Sequence, residues 1–210
     1  MIEISSKLEK NFIAGCKLLN ADGTNQLSVV DFDNIFNMIG ENFFFYKIFP
    51  RSKLINRFYL NYLNIDNLVE VDFVKGAFLF CSKSTFINLG GFDENFYFYA
   101  EEADLCYRLK SSNGKVYYYP NTAVIHLGGA SADKILWFKY KNQGIAKIKF
   151  YQKHYSGAKF IILLIIYYGG LIIRVLSYFF GGILLFNKNL LLKSYYYLKQ
   201  LFIYPNNVFK

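Results

Sequence analysis

The chain has 210 residues, 54% of them hydrophobic and 20% aromatic, with a formal net charge of +9. The charge is unevenly distributed: residues 1–133 carry 12 Lys/Arg and 15 Asp/Glu, whereas residues 134–210 carry 12 Lys/Arg and no acidic residue. Because the basic residues of the C-terminal part flank apolar runs, they indicate an anionic membrane surface and argue against a nucleic-acid partner.

The first predicted elements are a short helix and a buried strand. Ser5 to Asn11 has the composition of a helix start. Residues 1–12 contain no apolar run of the kind found in a signal peptide, so none is expected there. Phe12 to Leu19 is a compact apolar run typical of a buried strand, and residues 20–23 (Asn-Ala-Asp-Gly) supply turn chemistry. Residues 31–67 are weakly periodic and predict a long loop with short helices.

The central part alternates between predicted strands and helices. The predicted strands are Val69–Val74, Phe78–Cys81, Val116–Tyr119 (closed by Pro120) and Ala123–Ile125 (before His126), and the predicted helices are Ser84–Leu89 and Glu101–Lys110. The second helix carries acids in its first turn and bases in its last, which matches the helix dipole, and Gly114 is predicted as its C-cap.

The C-terminal part contains two long segments. Ile135 to Tyr155 is basic and aromatic and predicts an amphipathic helix, and residues 160–186 are almost continuously apolar apart from Arg174. That length could cross a bilayer, which needs roughly 20 apolar residues. Because both flanks are basic and two Gly-Gly pairs interrupt the run, a re-entrant or interface-lying segment is favoured over a true span.

Three carboxylates lie within four positions at Glu101, Glu102 and Asp104. Crowded like charges raise one another's pKa values, which suits a general base or a shared metal. The alternative is structural: acids at a helix start complement the dipole, and Asp104 can pair with Arg108 four residues later. Spacing alone favours the structural alternative.

Cys16, Cys81 and Cys106 form no CxxC pair and predict buried, reduced thiols.

Several linked motifs resemble the second half of bacterial family 2 glycosyltransferases of the rhamnosyltransferase type. Residues 17–28 read KLLNADGTNQLS, and residues 76–131 contain Gly-Ala, GGFDE, an acidic helix close to the family's "ED-x-D-L", and a His before Gly-Gly. The basic-aromatic KHY at 153–155 also fits. The resemblance covers residues 12 to about 155, in order.

This resemblance implies a nucleotide-diphosphate donor, a lipid-linked or polysaccharide acceptor, and inverting transfer, which needs a base and a cation for the leaving diphosphate. The base falls on Glu102, where the family usually has Asp; Asp104 is the second candidate, and Glu101 orients the acceptor or loop. His126 corresponds to a possible ligand of Mg²⁺ or Mn²⁺. The substrate-binding positions it implies are Asp72, Gly76, Ala77, Gly128 and Gly129. Asp31-Phe32-Asp33 has a D-x-D form, but the family's motif lies upstream of KLLN, so a metal role there is disfavoured.

The expected fold is α/β: a partial GT-A-like (nucleotide-diphospho-sugar transferase) domain over residues 1–133, followed by a membrane-associating tail over residues 134–210 at the cytoplasmic face of the membrane. Compared with the family, we expect the chain to lack the N-terminal βαβ half, which predicts an exposed apolar sheet edge. Alternatives remain: an enzyme completed by a separately encoded N-terminal half, an inactive truncated remnant, a membrane-bound acceptor-binding subunit, or a membrane-anchored scaffold.

Overall fold

The chain is described by a computed structural model that covers residues 11–63, 65–127 and 136–204. The chain forms two compact units. Unit 1 comprises Met1–Phe32 and Arg57–Gly128, and unit 2 comprises Asp33–Asn56 and Gly129–Lys210. Residues 33–56 thus belong to the same unit as the C-terminal segment, and the domain boundary at residue 133 stays a prediction. The predicted helix at Ser5 lies outside the described residues.

Unit 1 is built on a mixed sheet. Its long strands, β1 (Phe12–Leu19) and β6 (Lys115–Ile125), run parallel, and the order is β3-β6-β1-β5. The short strands are β2 (Val29–Val30), β3 (Val69–Glu70), β4 (Phe73–Val74) and β5 (Phe80–Cys81), of which β2 and β4 form a separate antiparallel pair. The described helices are α1 (Ile35–Asn42), α2 (Phe45–Ile48), α3 (Lys83–Asn88), α4 (Glu101–Ser111), α5 (Leu136–His154), α6 (Gly157–Leu184) and α7 (Lys188–Gln200), with a 3₁₀ turn at Tyr59–Tyr62.

Local chemistry explains where the predictions hold. The predicted strand Phe12–Leu19 is confirmed, and Gly23 takes a φ of 80° in the turn that follows. The predicted helix near Ser84 begins one residue earlier, because the Ser82 hydroxyl accepts a hydrogen bond from the Thr85 amide at 3.0 Å and caps α3. The helix at Glu101 is confirmed as α4.

Three boundary predictions are wrong. Val69–Val74 is two strands, because β3 pairs with β6 whereas β4 pairs with β2. The two strands predicted on either side of Pro120 are one, β6; its register against β1 shifts near Pro120, so the missing N–H of proline does not end the strand. Asn113, with a φ of 59°, takes the left-handed conformation that was predicted for Gly114. Gly114 is needed for another reason, because a Cβ on Gly114 would lie 2.3 Å from the Leu109 side chain.

The predicted exposed apolar edge is not found among the described residues. β1 lies inside the sheet, between β6 and β5, and residues 12–16 are buried. Beyond β5, the Leu18 amide donates to the Ser28 hydroxyl at 2.9 Å and the Leu18 carbonyl accepts from the Gln26 amide at 2.8 Å. The edge strands are the two-residue β3 and β5, so the apolar strand is covered by its own chain.

Unit 2 is helical. Asp33 precedes α1 and is held by α5: the Tyr151 hydroxyl donates to its carboxylate at 2.6 Å, and the Lys147 ammonium lies 3.2 Å away. These contacts give Asp33 a structural role in unit 2. The predicted basic amphipathic helix is confirmed as α5, from Leu136 to His154.

The apolar segment of unit 2 is one helix, α6, which continues through both Gly-Gly pairs. It is long and apolar enough to cross a membrane, with a mean hydropathy of 2.2 and only 22% of its most apolar stretch buried. The continuous helix has no break at which a re-entrant chain would turn back. Its length and composition hint at membrane association, and an interfacial helix and a spanning helix both fit.

Candidate active site

Helix α4 begins in unusual backbone geometry. Tyr99 and Ala100 have φ values of 72° and 66°, so two successive non-glycine residues take the left-handed conformation directly before Glu101. Such residues cost of order 1–3 kcal/mol each and persist only where the surrounding structure enforces them. Ala100 is the N-cap and offers no side-chain hydrogen bond to the first turn. The backbone directly before α4 is therefore strained, and such strain is often found at functional sites.

The direction of α4 places its first turn at the carboxyl ends of the parallel strands. Its C-terminal end lies beside the start of β1, because the Lys115 amide donates to the Asn11 carbonyl at 3.1 Å directly after the helix. At the other end of β1, the Leu18 amide donates to the Ser28 hydroxyl at 2.9 Å and the Ser28 carbonyl accepts from the Lys75 amide at 2.9 Å. Because the neighbouring Gly76 lies against Glu102, the first turn of α4 is near the carboxyl end of β1. Ligands of α/β sheets bind at that edge.

Glu102 is the best-positioned carboxylate of the cluster. Its side chain is only 8% exposed, and its Oε2 atom has no hydrogen-bond partner among the described residues. A Cβ added to Gly76 would lie 3.4 Å from the Glu102 Cβ, so the exposed Gly76 backbone lies directly against this side chain. A buried carboxylate oxygen without a partner is costly unless a ligand satisfies it.

Glu101 lies beside Glu102 and shares this environment. Its Oε2 atom also lacks a hydrogen-bond partner in the described part of the chain. Burial, reinforced by the charge of Glu102, raises the pKa of Glu101 above its usual value. The first turn of α4 therefore carries two adjacent carboxylates, each with one buried oxygen that has no hydrogen-bond partner among the described residues.

Lys75 is a site residue that the sequence analysis missed. Burial lowers the pKa of its ammonium group, while the charge of Glu102 acts in the opposite direction. Its backbone amide donates to the Ser28 carbonyl at 2.9 Å, which fixes the chain just before Gly76. A signal was available, since Lys75 directly precedes the Gly-Ala pair of the resemblance, but no pattern in the sequence links it to Glu102.

Asp104 faces the protein interior instead. It is fully buried, and Nε and Nη2 of Arg108 both lie 2.8 Å from its Oδ2 atom. Arg108 also donates to the carbonyls of Leu89 and Gly91, just after α3. The predicted Asp104–Arg108 pair is confirmed, and it joins α4 to the end of α3. These contacts direct the Asp104 carboxylate toward Arg108 and not toward the exposed backbone of Gly76.

His126 lies at the carboxyl end of β6 and is exposed. Its Nδ1 atom is 2.9 Å from the Gln26 Oε1 atom, and its carbonyl accepts from Gln26 Nε2 at 2.6 Å. No group of three or more His, Cys, Asp or Glu suited to a metal occurs among residues 11–63, 65–127 and 136–204.

The remaining predicted substrate-binding residues are separated. Gly76 and Ala77 are exposed next to Glu102. Asp72 instead binds the Lys110 ammonium at 2.8 Å and the Phe32 amide at 2.9 Å, and Lys110 lies eight residues along α4 from Glu102, about 12 Å. Gly128 and Gly129 lie outside the described residues.

Unit 1 also has a polar cavity of about 330 Å³ that no sequence pattern indicated. Side chains from the β1–β2 loop, the 3₁₀ turn and β6 line it; they include Lys17, Asn25, Gln26, Asn61, Asp66 and Asn121. Ser28 also lines the cavity, and its carbonyl accepts a hydrogen bond from the Lys75 amide. Because Lys75 precedes Gly76, which lies against Glu102, the cavity is near the carboxylate site.

Comparison with known proteins gives one partial match. The chain is 36% identical over 56 residues to rhamnosyltransferase WbbL of Escherichia coli (strain K12). That match covers 27% of this chain and 21% of the relative, so the chain matches about a fifth of the relative's length. No protein-family model matches. The similarity suggests a glycosyltransferase-like relationship, and the described fold is mixed α/β.

Proposed function

We propose that this chain provides the acceptor side of a family 2 glycosyltransferase, with a GT-A-like fold. The enzyme transfers a sugar from a nucleotide-diphosphate donor to a lipid-linked or polysaccharide acceptor with inversion, in cell-surface polysaccharide biosynthesis. The partial similarity to a rhamnosyltransferase and the ordered motifs of residues 17–28 and 76–131 support this proposal.

The observation that carries the proposal is the Glu102 carboxylate. Inverting transfer needs a base that removes a proton from the acceptor hydroxyl as its oxygen attacks the anomeric carbon. Glu102 is nine-tenths buried, has one carboxylate oxygen without a hydrogen-bond partner among the described residues, and lies against the exposed backbone of Gly76. The hydroxyl donates to Glu102 Oε2, and the proton moves to that atom as the new glycosidic bond forms and the nucleoside diphosphate leaves.

The neighbouring groups position the acceptor. Glu101 offers a second carboxylate oxygen to an adjacent sugar hydroxyl. The positive charge of Lys75 acts on both acids and partly offsets their negative charge. Asp104 fixes the helix through Arg108 and takes no part in the proton transfer.

The donor side comes from outside the described residues. The nucleotide-sugar contacts belong to a donor-binding half outside the residues that the structure describes. A divalent cation would need ligands beyond His126, so the proton transfer above includes no metal. The basic, apolar tail at 134–210 holds the site at the cytoplasmic face of the membrane, where a lipid-linked acceptor is available.

The test is sugar transfer from radiolabelled nucleotide-diphosphate sugars to lipid acceptors in membranes that contain this chain and a donor-binding half. Glu102→Gln should lower the rate about 100-fold or more, because the proton acceptor is lost without a change of shape. Glu70→Gln, the same change at an exposed position outside these motifs, should leave the rate unchanged.

Retention of full activity in Glu102→Gln would refute the assignment of the base. Acceptor binding without transfer under every pairing would instead identify the chain as the membrane-bound acceptor-binding subunit, and absence of both would identify an inactive remnant.

A further inference from the structure

Residues 33–56, the α1–α2 segment, have an apolar outer surface. The inner side of α1 is buried at Asn37, Met38 and Asn42. Large hydrophobic side chains on the other positions are exposed to more than a third of their area; they are Ile35, Phe36, Phe43, Phe45, Ile48, Phe49 and Leu54. Seven such side chains in twenty residues far exceed the isolated exposed hydrophobics of an ordinary surface, and such patches mark interaction sites.

The exposed charges of the same segment have one sign. Its two acids are both engaged within unit 2, Asp33 with Lys147 at 3.2 Å and Glu41 with Arg174 at 3.6 Å. Its three bases are exposed on the outer surface; they are Lys47, Arg51 and Lys53. An aromatic surface interspersed with basic residues is complementary to an anionic lipid interface, where rings lie at headgroup depth and bases bind phosphate.

The segment is continuous with the candidate membrane helix. The Asn42 side chain donates to the Ile166 carbonyl at 2.7 Å and accepts from Arg174 at 2.6 Å. Gly170 leaves room for this contact, because a Cβ there would lie 2.1 Å from Asn42 Oδ1. The segment is thus packed against the central part of α6, whose own outer side chains are exposed and apolar.

We propose that the α1–α2 segment is a second membrane-binding element, which inserts its aromatic side chains into the interface of an anionic bilayer beside α6. The inference rests on the membrane association of the tail given under the proposed function. It goes further in assigning lipid contact to residues more than seventy positions before that tail.

Single-tryptophan probes in the full chain test this. Trp137 is the only tryptophan, so Trp137→Phe provides a silent background. Into it are placed Phe49→Trp in the segment, Phe180→Trp in α6 and Ile87→Trp on α3 of unit 1; all three positions are more than half exposed. The readout is quenching by brominated lipids in vesicles of phosphatidylcholine with phosphatidylglycerol.

The expected result is strong quenching at positions 49 and 180 and little at 87. Replacing Lys47, Arg51 and Lys53 by Gln should reduce quenching at 49 while leaving it unchanged at 180, since each basic residue near an anionic surface strengthens association about fivefold. Quenching at 180 without quenching at 49 would overturn this inference and leave the tail's membrane association standing. Absence of quenching at positions 49 and 180 would overturn this inference and the membrane association of the tail. Equal quenching at position 87 would indicate non-specific adsorption and would also overturn the inference.

Discussion

Asp104→Asn should destabilise unit 1 without removing a reacting group. The change keeps the shape of the side chain but leaves the Arg108 guanidinium facing a neutral amide in a site where Asp104 is 0% exposed. Breaking a buried ion pair costs about 3–5 kcal/mol. Arg108 is 21% exposed and keeps its bonds to Leu89 and Gly91, so the lower end, about 3 kcal/mol, is expected.

Hydrogen exchange followed by mass spectrometry measures this cost locally. About 3 kcal/mol corresponds to roughly 100-fold faster exchange of the α4 amides, if they exchange through opening of the unit. Asp72→Asn is the matched control: the same change in a pair whose side chains are 29% and 33% exposed should cost about 1 kcal/mol or less. Equal effects of the two substitutions would refute the structural role of Asp104. Normal exchange with lost transfer would make Asp104 a catalytic residue.

Three further predictions concern pH, packing and thiol reactivity. Because the folded-state pKa of Glu101 is raised, its contribution to stability is fully present below its ordinary value of 4.5 and is lost as pH rises through the folded value. Glu101→Gln should therefore flatten the pH dependence of the thermal midpoint and raise it at pH 7; an unchanged profile would contradict this. Gly170→Ala should loosen α1 from α6 by about 1–3 kcal/mol through the clash with Asn42, whereas Gly169→Ala, with open space around it, should be neutral or stabilising in the same melting experiment. Cys81, half-buried, should react with a maleimide before the two fully buried cysteines, and faster labelling of either of those would show the core to be open.

The sequence predicted elements whose signals are local. The strand Phe12–Leu19 has a continuous apolar run, and α4 has acids in its first turn, bases in its last and apolar residues at helical spacing. The short strands were mispredicted, because whether Val69–Val74 is one strand or two depends on which partners each half pairs with, and pairing is a tertiary property. The same reason explains why residues 33–56 gave no sign of belonging with the C-terminal helices.

The candidate site was predictable in part. The resemblance located Glu101 and Glu102, and their position at the start of α4 agrees with it. The contrast between Glu102, with an unsatisfied oxygen, and Asp104, with a saturated one, depends on side-chain direction and burial. Glu102 and Asp104 are two residues apart and point to different sides of the helix, but spacing alone cannot tell which side faces the site, so Asp104 stayed the second candidate for the base. Lys75 was missed because its approach to Glu102 depends on the β2–β4 pairing.

The interleaving of the two units along the chain has a consequence for biosynthesis. Residues 33–56 leave the ribosome early, yet the helices that cover their inner face are made last, after the 72 residues of Arg57–Gly128. At synthesis rates of about 5–20 residues per second, the inner face of α1, which includes Met38, waits for several seconds without the helices that bury it. During that interval the nascent chain needs a chaperone or a lipid surface to protect it. Truncation before α5 would make this transient exposure permanent, so a shortened chain should aggregate.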